Sequence, residues 1–212
     1  MIDIHFTGKK NYNTNSLGYR AIDFDQVDWA SSYVIQGCSA VFGYGIEDDE
    51  KTISACLSRK LNAPVINLGI GGSGIQLQYM NAVEMLEKNQ VPKGVFIIWP
   101  NIHRFVLMLD GMLDNFGPWK TSSTTKKYAQ WMAEDNSKYQ NLWHARAYKM
   151  LWKLAKVPVY DITHHLENNI FCDTVFTDFL DHGFDGEHWG PITAEHIAEI
   201  FYQKHLLSQK SV

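Results

Sequence analysis

Four stretches of the sequence combine a chemically capable group with a neighbour that could assist it. In Gly37-Cys38-Ser39-Ala40-Val41-Phe42-Gly43, a serine follows a short apolar run and a glycine, so a tight turn could project its hydroxyl as a nucleophile. In Asp185-Gly186-Glu187-His188-Trp189-Gly190-Pro191, a carboxylate three residues before an imidazole can accept from one ring nitrogen. The other nitrogen then stays free to take a proton. The same stretch also reads as a solvated acidic loop with a capping carboxylate. The glycine loop Gly69-Ile70-Gly71-Gly72-Ser73-Gly74 lets backbone N–H groups approach a ligand closely, as oxyanion donors must. It reads equally as a strand-to-helix turn, and it lacks the Lys-Ser/Thr pair of a phosphate loop. Asn101, directly after Trp99-Pro100, could donate its amide to the same oxyanion, although asparagine after a strand is commonly a turn residue.

The elements that must position these groups follow from the apolar pattern. Buried strands are predicted at Tyr33 to Gln36, Pro64 to Leu68, Val95 to Trp99 and Val157 to Asp161, each a short apolar run bounded by glycine or proline. Helical spacing marks Thr52 to Leu61, Ile75 to Asn89, Tyr128 to Ala155 (with a break near Asp135-Asn136) and a last helix opened by Gly190-Pro191 and running to about Leu207. Residues 1–28 show no sustained period and are expected to form an irregular arm. Residues 105–125, with two glycines, Pro118 and a Ser/Thr tract, are expected to be a long loop or partial lid. Strand and helix alternate, which implies an α/β fold: a three-layer α/β/α arrangement around a mostly parallel, flavodoxin-like sheet. In such sheets ligands bind past the carboxyl ends of the strands, where all four stretches begin.

The 212 residues fit a single domain without internal repeat or linker, and 45% hydrophobic content supports a sizeable core. Nineteen Lys and Arg against 23 Asp and Glu give a net charge of −4, which leaves no basic excess for nucleic acid. Three cysteines without tight spacing (Cys38, Cys56, Cys172) argue against a disulfide framework. No apolar run approaches membrane-spanning length and the N-terminal stretch is polar, so a cytoplasmic protein with no membrane partner is expected.

Taken together and in this order, the four stretches resemble the SGNH (GDSL-type) hydrolase family, in its Gly-Cys-Ser form, over roughly Tyr33 to the end of the last helix. The resemblance implies that residues 1–212 form one such domain, with Ser39 as nucleophile, His188 as base and Asp185 as the acid behind it. It implies an oxyanion hole made by the backbone N–H groups of Ser39 and Gly72 (with Gly71 as the close alternative) and the Asn101 side chain. The implied substrate is a small-molecule or carbohydrate ester, such as an O-acetyl group, and no cofactor or metal is needed. An O-acyltransferase would use the same triad, and a binding protein that has lost turnover would keep the fold. Two departures favour the latter: Cys38 stands in place of the family's Asp, and Trp99-Pro100-Asn101-Ile102 in place of Gly-x-Asn-Asp.

Other features carry less. Asp181, His182, Asp185 and His188, with His164-His165, suggest a metal cluster, but no helical His-x-x-x-His or paired-Cys spacing supports one, and no metal is expected. Asp181 is a rival acid for His188 at a poorer spacing. Trp119, Trp131, Trp143 and Trp189 could stack on sugar, although an aromatic core is the favoured expectation.

Overall fold

The computed structural model describes residues 12–109, 112–117 and 136–210. Strands β1 (Tyr33–Gly37), β2 (Val65–Gly69) and β3 (Val95–Ile98) are followed by the hairpin strands β4 (Phe105–Leu109) and β5 (Met112–Phe116), and then by β6 (Val159–Ile162). The main sheet has the order β2-β1-β3-β6 with every neighbouring pair parallel. Its helices are α1 (Ser39–Phe42), α2 (Ile53–Leu61), α3 (Ile75–Glu87), α4 (Asn136–Leu154) and α5 (Pro191–Gln209).

Alternation along the strands sends side chains to opposite faces. Val34, Val95 and Ile97 join Leu77, Ala82 and Met85 of α3 and Ala145, Tyr148 and Trp152 of α4 in one core. Ile35, Phe96 and Ile98 join Ile53, Cys56 and Leu57 of α2 and Ala194, Ile197, Ala198 and Phe201 of α5 in the other. Three layers result, as the alternating pattern implies. Each fully buried aliphatic or aromatic side chain contributes roughly 1.5–3 kcal/mol relative to exposure.

The chain runs from β1 outward to β2, then returns across β1 to β3. The carboxyl ends of β1 and β3 therefore flank the point where the winding reverses, the usual ligand crevice of such sheets. Ser39 follows β1 and Asn101 follows β3.

One expectation is corrected. Residues 105–109 and 112–116 are not loop: β4 and β5 pair antiparallel from Phe105↔Phe116 to Leu109↔Met112. The sequence signal for the hairpin is Asp110-Gly111 between two five-residue runs. The remainder of the expected lid, residues 118–125, lies outside the described residues, as do residues 128–135 of the expected helix, Trp119 and Trp131. The N-terminal arm, described from residue 12, is irregular apart from a short 3₁₀ turn (Phe24–Gln26), but it is built into the core. Tyr19 is wholly buried, and the Arg20 guanidinium bonds Asp49 and the carbonyls of Gly43 and Glu47. Among the described residues, no helix is long and apolar enough to cross a membrane.

Candidate active site

Ser39 opens α1, immediately after the buried Cys38 (2% exposed), whose carbonyl accepts from Phe42 N–H. Cys38 thus serves as packing, as its type suggests. A first helical residue has no intrahelical acceptor for its N–H, so the Ser39 N–H is left facing outward from the helix start. The turn closes by Gly43 N–H and Tyr44 N–H both donating to Ser39 O, at 3.0 and 3.1 Å.

The glycine loop is fastened to the end of β1 through one acceptor. The Gly37 carbonyl accepts from Ile70 N–H (3.0 Å), the Ser73 hydroxyl (3.2 Å) and the Gln78 side-chain amide (3.1 Å), and Gln78 also donates to Ser73 Oγ (2.9 Å). Ser73 and Gln78 are wholly buried. Gly72 has φ +72°, the left-handed region that favours glycine. Among the described residues neither Ser39 N–H nor Gly72 N–H donates a hydrogen bond. The hairpin reaches this loop as well, Asn115 donating to Gly71 O at 3.4 Å.

The Asp185–His188 stretch is a turn organised by its own carboxylate. Asp185 Oδ1 accepts from the N–H groups of Glu187 and His188, both at 3.0 Å, and Oδ2 accepts from His188 Nδ1 at 2.8 Å. Partial burial opposes the charge on Asp185. The His188 and Glu187 N–H groups and the His188 ring outweigh it and hold the carboxyl below its usual range. With Nδ1 donating to a carboxylate, His188 presents Nε2 as an acceptor.

This turn docks onto the segment that follows the serine. Phe184 N–H donates to Gly45 O at 2.9 Å, and a Cβ on Gly45 (φ +82°) would lie 3.0 Å from Asp185 Oδ1 and 3.3 Å from His188 Cβ. The Tyr44 ring lies against the His188 ring, centroids 5.4 Å apart, while its own N–H bonds Ser39 O. Ser39 and His188 are therefore both neighbours of Tyr44. No hydrogen bond joins the Ser39 hydroxyl to His188 among the described residues.

Asp181 is occupied elsewhere. Its carboxylate accepts from Ile192 N–H, Thr193 N–H and the Thr193 hydroxyl in the first turn of α5, at 3.0, 2.7 and 2.8 Å. It is a helix cap, which removes it as a rival partner for His188. Among the described residues, no group of three His, Cys, Asp or Glu side chains is placed to hold a metal ion.

Asn101 lies at the end of β3, in a loop tied to the loop after β6. Its Oδ1 accepts from His103 N–H at 2.8 Å, and its Nδ2 lies 3.2 Å from His165 Nδ1. Asn168 donates to Pro100 O and Thr163 Oγ1, both at 2.9 Å, and Asn141 of α4 donates to Ile102 O and Arg104 O. The two departures in this block are core residues. Trp99 is wholly buried, stands edge-on to Tyr148 and Phe171, and donates its indole N–H to Asp161 at 2.9 Å; Ile102 is wholly buried too.

Sequence reasoning singled out His164-His165 only as tempting metal ligands. The rings lie 3.6 Å apart, and His164 stands edge-on to Trp189 at 5.0 Å, beside Phe176 and Phe179. Burial, then the neighbouring His165 and Arg104, push His164 down to about 3; burial and Arg104 push His165 down to about 4. Both rings are neutral at neutral pH. Trp189 thus belongs to an aromatic cluster, whereas Trp143 is 63% exposed and lies outside any core, with the Arg146 guanidinium 5.3 Å from its ring. Cavities of about 510 Å³ (beside Arg20, Asp49 and Asn67) and about 520 Å³ (between α2 and α5) include neither Ser39 nor His188.

No family model and no curated protein matches the chain. Solved structures do. The chain is similar to the psychrotrophic esterase EstA from Pseudoalteromonas, at 13% identity over 86% of this chain and 100% of that one, with a TM-score of 0.39. It is similar to a protein assigned to the G-D-S-L lipolytic family from Desulfitobacterium hafniense, at 16% identity over 82% and 98%, with a TM-score of 0.39. It is also similar to a two-domain esterase active on acetylated mannans, at 13% identity over 85% and 49%, again with a TM-score of 0.39.

Proposed function

We propose that the protein is a serine hydrolase of small acyl esters, with O-acetylated carbohydrate as one substrate class, in which Ser39, His188 and Asp185 act together. The observation that carries this reading is the 2.8 Å pairing of His188 Nδ1 with Asp185 Oδ2, in a turn seated on Gly45, six residues beyond Ser39. Ser39 Oγ attacks the acyl carbon while its proton passes to His188 Nε2. The imidazolium is stabilised by Asp185 and returns the proton to the leaving alcohol as the C–O bond breaks. Water then attacks the acyl-serine by the same route in reverse. The oxyanion is met by the Ser39 and Gly72 N–H groups and the Asn101 amide; losing one such donor typically costs about a hundredfold to a thousandfold in rate. No cofactor is called for.

Hydrolysis of a short-chain aryl ester tests the reading. Wild type turns over and Ser39→Ala does not; equal turnover by both rejects Ser39 as nucleophile. Comparing products with and without an added acceptor alcohol separates hydrolysis from acyl transfer to a sugar hydroxyl.

A second reading, a binding protein that keeps the fold without turnover, is favoured by the missing Ser39–His188 hydrogen bond. Against it, catalytic hydrogen bonds are often long until substrate is bound.

A further inference from the structure

We propose that His165 is a positioning residue: it accepts a hydrogen bond from the Asn101 side-chain amide and so holds that amide with its second N–H available to an oxyanion. The inference rests on the hydrolase reading for its catalytic consequence. Its structural part stands on three contacts.

First, the orientation of the Asn101 amide is fixed by an unambiguous donor. A backbone N–H can only donate, and His103 N–H lies 2.8 Å from one Asn101 side-chain atom, so that atom is the oxygen. The atom 3.2 Å from His165 Nδ1 is therefore the nitrogen. Second, an amide nitrogen carries two hydrogens and no free lone pair for a hydrogen bond, so His165 Nδ1 must be the acceptor and the ring proton sits on Nε2. Burial keeps the ring neutral, which the role requires. Third, the ring is itself held. The His165 backbone N–H donates to Thr163 Oγ1 at 3.1 Å, Asn168 links Thr163 to Pro100, and the ring packs against the tilted ring of His164, centroids 3.6 Å apart.

The consequence is directional. If the Asn101 amide rotated by half a turn, its oxygen would replace its N–H at the oxyanion and repel the developing charge. His103 N–H and His165 Nδ1 both oppose that rotation. His165 pays nothing back in stability through its other nitrogen, because Nε2 is buried without a hydrogen-bond partner among the described residues.

The test uses two substitutions. His165→Phe keeps a ring and removes the acceptor. His165→Asn places an oxygen at the same distance from the backbone as Nδ1. In aryl-ester hydrolysis His165→Phe is expected to lower kcat about 10- to 100-fold, short of or equal to loss of the donor itself. KM stays within about twofold and the melting temperature does not fall. His165→Asn is expected to recover kcat to within about threefold of wild type. Equal kcat in His165→Phe and wild type, or equal impairment of the two variants, overturns the proposal. Absence of any Ser39-dependent turnover in wild type rejects the hydrolase reading instead. The pairing is then decided by the ¹⁵N spectrum of His165: a ring protonated only at Nε2, with an Nδ1 resonance that shifts in Asn101→Ala, supports it, and a proton on Nδ1 overturns it.

Discussion

Asp185 grips His188 with both carboxylate oxygens: Oδ2 accepts a hydrogen bond from ring Nδ1 at 2.8 Å while Oδ1 accepts from the His188 backbone N–H at 3.0 Å. One side chain therefore sets both the turn and the ring it carries. These two jobs can be separated by substitution.

Asp185→Asn keeps an oxygen able to accept the Glu187 and His188 N–H groups, so the turn persists. It removes the negative charge behind His188 and can present an amide N–H to Nδ1, which favours the wrong tautomer. Ester turnover is expected to fall by about a hundredfold to ten-thousandfold in kcat with little change in melting temperature. Steady-state kinetics alongside a thermal melt checks it. Retained kcat would remove Asp185 from the relay.

Asp181→Ala should show the opposite pattern. Its carboxylate caps α5, and loss of a helix cap costs about 0.5–2 kcal/mol. A lowered denaturation midpoint with near-normal turnover of the surviving folded protein is expected. Loss of turnover without loss of stability would return Asp181 to candidacy as the acid.

Gly45→Ala tests the docking of the two halves of the site. The added methyl would sit 3.0 Å from Asp185 Oδ1 and 3.1 Å from Gly183 Cα, at a backbone φ of +82° that alanine adopts only with strain. Displacement of the 183–188 turn is expected to reduce kcat at least tenfold in protein that still gives a native circular dichroism spectrum. Full activity would mean that this contact does not set the site.

Acid sensitivity follows from the histidine pair. Burial lowers His164 from its ordinary 6.5 to about 3 in the folded chain, so between these values the unfolded chain binds a proton that the folded chain does not. Its contribution is complete above pH 6.5 and is lost as pH falls toward 3. The slope is about 1.4 kcal/mol per pH unit for each fully differential proton. His165, lowered to about 4, acts in the same direction and is more attenuated by solvent. Melting temperature should drop between pH 6.5 and 4, with a shallower slope in His164→Phe. Parallel slopes in the two proteins would contradict the buried neutral ring. The lowered carboxylates Asp161, Asp181 and Asp185 lose their contributions at lower pH, below their ordinary 3.8.

Much of the fold was legible because burial on two faces writes itself as continuous apolar runs. All four strands of the main sheet lie within two residues of the runs that mark them, and Pro191 opens the last helix as its type dictates. The hairpin is hard to read because the two glycines and Pro118 of this stretch resemble loop chemistry, and its turn signal is the single dipeptide Asp110-Gly111. Within the site, Asp185–His188 was readable because both partners share one turn. The Asn101–His165 pair was not: its members are 64 residues apart and meet only because β3 and β6 are neighbours in the sheet. Gln78 and Ser73 are not legible for the same reason, since their common acceptor is the carbonyl of Gly37, at the end of β1 and more than 30 residues away.

The most direct measurement is covalent labelling with a fluorophosphonate, read by intact mass and peptide mapping in wild type, Ser39→Ala and Cys38→Ala. An activated serine is expected to give one adduct, on Ser39, lost in Ser39→Ala and kept in Cys38→Ala. An unmodified wild-type chain, or an adduct that survives in Ser39→Ala, contradicts the assignment.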